Sequence, residues 1–262
     1  DPKLRAKLRW VAARANRCGY SQAYAAADFE RAGGDPAELQ QIAERLDELP
    51  AGERAALQFA RQMTVDASAV TDEEVARLVA IYGERSVVAM VLELACANFQ
   101  DRLILALDLP LEEGGPLPPV ALRFPALDKL DEIPRAGRPE ELPAAGSVSR
   151  ANEQPAAEPG ENQEWASLDL AALRRLLDVQ RDRPGRVSVP AWESVRERLP
   201  PEVYPPDRPL RIKWSLVVLG HQPDMGMAWM RCLRAFGREA DLDRVLAESV
   251  FWVITRTIHC FY

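Results

Sequence analysis

Residues 1–20 read DPKLRAKLRWVAARANRCGY, and residues 243–262 read DRVLAESVFWVITRTIHCFY. Shifting the chain by 242 aligns Asp1, Leu4, Trp10, Val11, Arg14, Cys18 and Tyr20 with Asp243, Leu246, Trp252, Val253, Arg256, Cys260 and Tyr262. That is seven identities in twenty columns, where ordinary residue usage gives roughly one. The matched Trp and Cys are uncommon residues, so the similarity reads as an internal repeat. Asp1-Pro2 has the form of an N-cap with proline at the first helical position, and Leu4, Leu8 and Val11 continue one apolar face. The stretch is a helix, and it occurs twice.

Outward from it the pattern stays helical. Asp35-Pro36 opens a second such start, with Leu39, Ile42 and Leu46 as its stripe. Thr71 and Glu74 form a capping box ahead of Val75, Leu78, Val79 and Tyr82. A long helix is expected from Glu84 to about Leu107, and about six helices over residues 1–109. Prolines and glycines then crowd residues 110–164, which read as a linker carrying a few apolar residues such as Leu122, Phe124 and Leu127. Helices are expected again at 168–179, 192–199, 210–219, 223–236 and 241–258, with an irregular crossing at Pro200-Pro201 and Pro205-Pro206. No stretch alternates as a strand does. The fold class is all-α: domains 1–109 and 165–262, joined by the proline-rich linker.

Composition narrows the function. The 262 residues carry 33 Lys+Arg against 40 Asp+Glu, a net charge of −7, with no basic stripe to hold nucleic acid. No apolar run reaches the roughly 18–20 residues of a membrane helix. Two His and four Cys supply a zinc site poorly, so neither metal nor cofactor is expected. Four cysteines are compatible with a reducing, cytoplasmic interior. There is no dinucleotide fingerprint, phosphate loop or nucleophile elbow.

Trp-x3-Arg-x3-Cys-x-Tyr, followed by a helix, a Gly turn and acid-capped helices, resembles the carboxymuconolactone decarboxylase-like superfamily, which includes alkylhydroperoxidase D. The resemblance covers residues 1–109, including Asn98-Phe99-Gln100-Asp101-Arg102, and residues 210–262, including His221-Gln222-Pro223. It implies two helical domains of this type and a thiol-dependent, peroxiredoxin-type oxidoreductase, with a small hydroperoxide as substrate and a thiol reductant as partner. Active members carry Glu, eleven residues, Cys-x-x-Cys, three residues and His, with the second Cys peroxidatic and the first resolving. The chemistry needs a thiolate to attack the peroxide oxygen, a second thiol to condense with the sulfenic acid, and a relay for the proton.

On that pattern Glu248 stands twelve residues before Cys260, which takes the resolving position, and the adjacent His259 is a candidate to lower its pKa. The peroxidatic Cys and the His of the second copy would follow Tyr262, to be supplied by further or companion chain. In the first copy Ala6, Ser21 and Ala25 occupy the Glu, peroxidatic and His positions, so only Cys18 remains of the motif. Two alternatives stay open: a non-catalytic helical scaffold of the same fold, and a lactone decarboxylase that works without cysteines. Oligomerisation is expected, since helices with one apolar side bury it against a repeat or another subunit. Trp10 and Trp252 are expected as core anchors, Cys18, Cys96 and Cys232 as core residues, Arg14 and Arg256 in charge pairs, His221 at a helix end, and Glu93 and the pair Asp101/Arg102 in interhelix hydrogen bonds or ion pairs, with the lining of a pocket in the neighbouring copy as the alternative.

Overall fold

The computed structural model describes residues 1–119, 169–181, 184–200, 209–239 and 243–258. All its regular elements are helices, and no strand occurs among the described residues. Six helices form the first body: α1 (Pro2–Ala15), α2 (Gly19–Arg31), α3 (Pro36–Arg45), α4 (Ala51–Val65), α5 (Asp72–Tyr82) and α6 (Glu84–Ala106). Five more follow: α7 (Leu170–Arg181), α8 (Trp192–Arg196), α9 (Lys213–His221), α10 (Pro223–Glu239) and α11 (Arg244–Thr257). Leu122, Phe124, Leu127 and the Pro205-Pro206 crossing lie outside the described residues. All eleven helices belong to one compact unit that takes in Asp1–Pro116 and the chain from Asp169.

The expected start signals act as caps. The Asp1 carboxylate accepts from the backbone N–H of Lys3 at 2.8 Å, and Asp35 and Thr71 close capping boxes with Glu38 and Glu74. These bonds satisfy donors that a helix start leaves unpaired. Gly83, at φ +77°, ends α5 and opens α6, a left-handed conformation that residues with a Cβ avoid. Helix α1 lies at the centre, packed on α2, α4 and α6. Its Leu8, Trp10 and Val11 join Phe29, Leu57, Leu78 and Leu94 in the main core. A smaller core forms around Trp192, Val195, Leu199, Leu216 and Leu219.

The segment 184–190 and the α9–α10 junction dock on the starts of α5 and α6. Arg186 Nε donates to Asp72 Oδ1 and its Nη2 to the Val70 carbonyl, both at 2.6 Å. Ser188 N–H donates to Glu84 Oε1 at 2.8 Å, and its hydroxyl donates to Glu84 Oε2. His221, the last residue of α9, lies 3.9 Å from Glu84 and 3.1 Å from the Ser188 carbonyl. The Ser188 bonds, with the nearby His221, hold the Glu84 carboxyl below its ordinary range. Such a group stabilises above its ordinary pKa, and the contribution fades as pH falls through the lowered value. Glu84→Ala is therefore expected to expose the Ser188 amide to faster hydrogen exchange at neutral pH, and acidification of the wild type to do the same. Unchanged exchange in the variant would mean that Arg186 alone holds the segment.

Several sequence expectations are corrected by packing. Trp10 is 9% exposed but Trp252 is 51% exposed, so only the first is a core anchor. The two indoles sit on matched helices; α1 is covered by α2, α4 and α6, whereas α11 leaves Val245, Leu246, Val250, Phe251 and Val253 at the surface. Cys96 is exposed and Cys232 half-buried, not core, because α6 and α10 carry apolar residues beyond the faces that other helices cover. Arg14 was expected in a charge pair, yet its guanidinium lies over the Trp10 ring, 5.4 Å from the centroid.

Candidate functional site

The α1–α2 turn is built by three residues in succession. Asn16 caps α1, Arg17 takes the left-handed conformation at φ +58°, and Cys18 is the extended N-cap of α2. Cys18 N–H donates to the Ala13 carbonyl at 2.8 Å, and the Cys18 carbonyl accepts from Gln22 at 3.0 Å. The thiol points inward, 1% exposed, and donates to the Ser21 hydroxyl at 3.4 Å. Residues three apart across this N-cap are thus in direct side-chain contact. That geometry lets a second thiol at the later position condense with the first; a hydroxyl there cannot. Ala6 and Ala25, which the sequence resemblance expected at the Glu and His positions, are buried in the main core. Cys18, buried and in contact with the Ser21 hydroxyl, packs as a small apolar side chain.

A polar network ties the turn to α6. Asn16 Nδ2 donates to Asn98 Oδ1 at 3.0 Å and to Asp101 Oδ2 at 2.8 Å. Asn98 Nδ2 in turn donates to Thr64 Oγ1 at 3.2 Å and to the Leu94 carbonyl at 2.8 Å. Asp101 is 1% exposed, and a carboxylate at that depth needs such a donor. Glu93 makes its interhelix pairs with Arg5 at 3.0 Å and Arg9 at 3.7 Å. On the outer side, Tyr20 and Tyr24 stack with centroids 4.9 Å apart. Both hydroxyls donate to Glu112, at 2.6 and 2.9 Å, so the segment after α6 is held against α2. The Tyr20 bond lowers the Glu112 carboxyl, and the same bond raises the Tyr20 hydroxyl. Sequence reasoning missed Asn16, Thr64 and the tyrosine pair, because each acts through a partner 34 to 92 residues away.

Of the second-copy candidates, Glu248 lies exposed on α11, flanked by surface Val250 and Phe251, not beside a buried apolar wall. His259 and Cys260 lie outside the described residues. Helix α11 itself mirrors α1. Its N-cap Asp243 accepts from the Leu246 N–H at 3.1 Å. Shifted by 242, its bounds Arg244–Thr257 fall on Pro2–Ala15 residue for residue. Arg256 covers the Trp252 ring at 4.6 Å, as Arg14 covers Trp10. Among the described residues no helix is long and apolar enough to cross a membrane, and no group of three His, Cys, Asp or Glu could hold a metal ion. No protein-family model matches this chain, and neither does any curated protein or solved structure.

Proposed function

We propose that the chain is a thiol-dependent, peroxidase-like oxidoreductase of the alkylhydroperoxidase D type, built from two copies of one helical unit. The observation that carries this reading is the correspondence of α11 with α1: the same aspartate cap, the same bounds and the same arginine over tryptophan, each followed by a cysteine at the third position past the helix. The geometry of the first copy supplies the template. Cys18 stands at a helix N-cap in contact with the side chain three residues on, the arrangement a dithiol pair needs.

In the reaction a thiolate takes one oxygen from a hydroperoxide, releasing an alcohol and leaving a sulfenic acid. A resolving thiol then condenses with it, releasing water and forming a disulfide that a small dithiol reduces. In the superfamily register Cys260 takes the resolving position and the attacking position comes three residues after it. Glu248, twelve residues before Cys260, moves the proton. The apolar residues that α11 leaves at the surface support an oligomeric or companion-chain arrangement.

Hydroperoxide consumption with a dithiol reductant, measured with the segment that supplies the attacking thiol present, tests this. Cys260→Ser is expected to abolish repeated turnover, Glu248→Gln to slow it about 100-fold or more, and Cys18→Ser to leave it unchanged. Equal rates for wild type and Cys260→Ser would overturn the proposal. A second reading, a non-catalytic scaffold, is favoured by the burial of Ala6, Ser21 and Ala25, which fills the first copy's motif positions with small side chains. It predicts no consumption by any of these proteins.

A further inference from the structure

The end of α9, the segment 184–190 and the start of α6 meet around one carboxylate. Gly220 permits the approach. A Cβ there would lie 2.5 Å from Pro190 Cγ, so a side chain would push the helix end off the segment. The next residue, His221, is thereby set beside Ser188, and its Nε2 donates to the Ser188 carbonyl at 3.1 Å. The same nitrogen lies 3.9 Å from Glu84 Oε2, with the imidazole side chain only 12% exposed. Ser188 donates to both oxygens of that carboxylate, and Gln222 Nε2 donates to the Arg85 carbonyl at 2.7 Å.

The other charges around the junction come from four elements. Arg186, on the segment of Ser188, is paired with Asp72 at the start of α5. Arg198, just past α8, donates from Nη1 to the Gly220 carbonyl at 2.7 Å. Arg85 neighbours Glu84 on α6, and Asp224 stands in the first turn of α10. Among them Glu84 is the carboxylate at ion-pair distance from the imidazole. At 3.9 Å the two attract through charge, without a hydrogen bond. The imidazole also ends α9, where the last carbonyls favour a cation. A neutral ring keeps the carbonyl bond through its Nε2–H, so protonation adds the attraction and leaves that bond in place.

We propose that His221 is a pH-sensitive clasp: protonated, it draws the end of α9 and the segment 184–190 onto Glu84, and neutral, it loosens that hold. Imidazole is the side chain whose charge ordinarily changes between about pH 5 and 8. The Glu84 carboxyl, held below its ordinary range, is already charged there. The clasp is therefore tightest between the carboxylate and histidine ranges. The imidazole's share fades as pH rises through the second, and Glu84's share fades as pH falls through the first. The clasp is independent of the Cys260 chemistry and stands on a different observation.

Amide hydrogen exchange at Ser188 in the full chain, corrected for the intrinsic dependence of exchange on pH, tests the clasp. Protection is expected to fall about threefold from about pH 5.5 to about pH 8, the size of a weak ion pair between partly exposed groups. His221→Gln, which keeps a donor without a titrating charge, and Glu84→Gln, which keeps an acceptor for the Ser188 N–H, are each expected to remove the fall. In wild-type NMR spectra the Ser188 amide shift is expected to follow the titration of the His221 ring and not that of His259, the other histidine. Wild-type protection that stays level across this range would overturn the proposal whether or not the variants fold. So would an undiminished fall in His221→Gln, or a Ser188 shift that follows His259.

Discussion

Phe29→Ala is expected to lower the unfolding free energy by about 3–5 kcal/mol, the range for emptying a large buried aromatic site. The ring is fully buried where α1, α2 and the α2–α3 turn meet. Its edge lies where a Cβ on Gly34 would have to go, and the Lys7 ammonium sits 5.1 Å from its centroid. Gly34 has no left-handed φ, so its need for glycine is the ring and nothing else. Gly34→Ala alone should therefore cost about 1–3 kcal/mol as overpacking. In the double variant the new methyl enters the space that the ring vacates, and the combined loss should fall short of the sum by about 1 kcal/mol or more. Urea midpoints at unchanged slope give all three values. Additive losses would show that Gly34 is constrained by its backbone after all.

Lys7→Met is expected to cost about 2 kcal/mol near neutral pH, with a cost that depends on pH in both directions. The ammonium, on a residue 7% exposed, donates to Glu38 and Glu53, each at 2.6 Å, from the middle of α1 to α3 and α4. Burial pulls the Lys7 pKa down, but the two carboxylates outweigh it and the net shift is upward from 10.5. The Lys7 bond in turn holds the Glu38 carboxyl below its ordinary range. Glu38 is nearer to water than Lys7, which is why the cost stays under that of a fully buried pair. A lowered carboxyl stabilises above its ordinary pKa and loses this as pH falls through the lowered value. A raised lysine stabilises below its ordinary pKa and loses this as pH rises through the raised value. The gap between wild type and variant should therefore be widest between the carboxylate range and about pH 10, and narrow in acid and in strong alkali. A gap that ignores pH would assign the loss to the packing of the aliphatic stem alone.

These two clusters also show what a one-dimensional pattern carries. The helix starts at Asp1, Asp35 and Thr71 were legible because a cap and its acceptor lie within three residues of each other. The Lys7 triad was not, since Glu38 and Glu53 stand 31 and 46 residues away. The contact at Cys18 was half legible: the spacing to Ser21 gave the contact, but only the fold gave the burial.

The chain's own order of residues determined the helices and their ends, because capping bonds, backbone preferences and i, i+4 contacts such as Arg256 over Trp252 act within a few residues. Tertiary structure alone decided which of the matched side chains is inside. Burial depends on what covers a helix, and a helix that carries apolar residues on several sides, as α6 does, gives no sign of which side that is. Trp10 and Trp252 share one local environment, and three covering helices separate a core residue from a surface one.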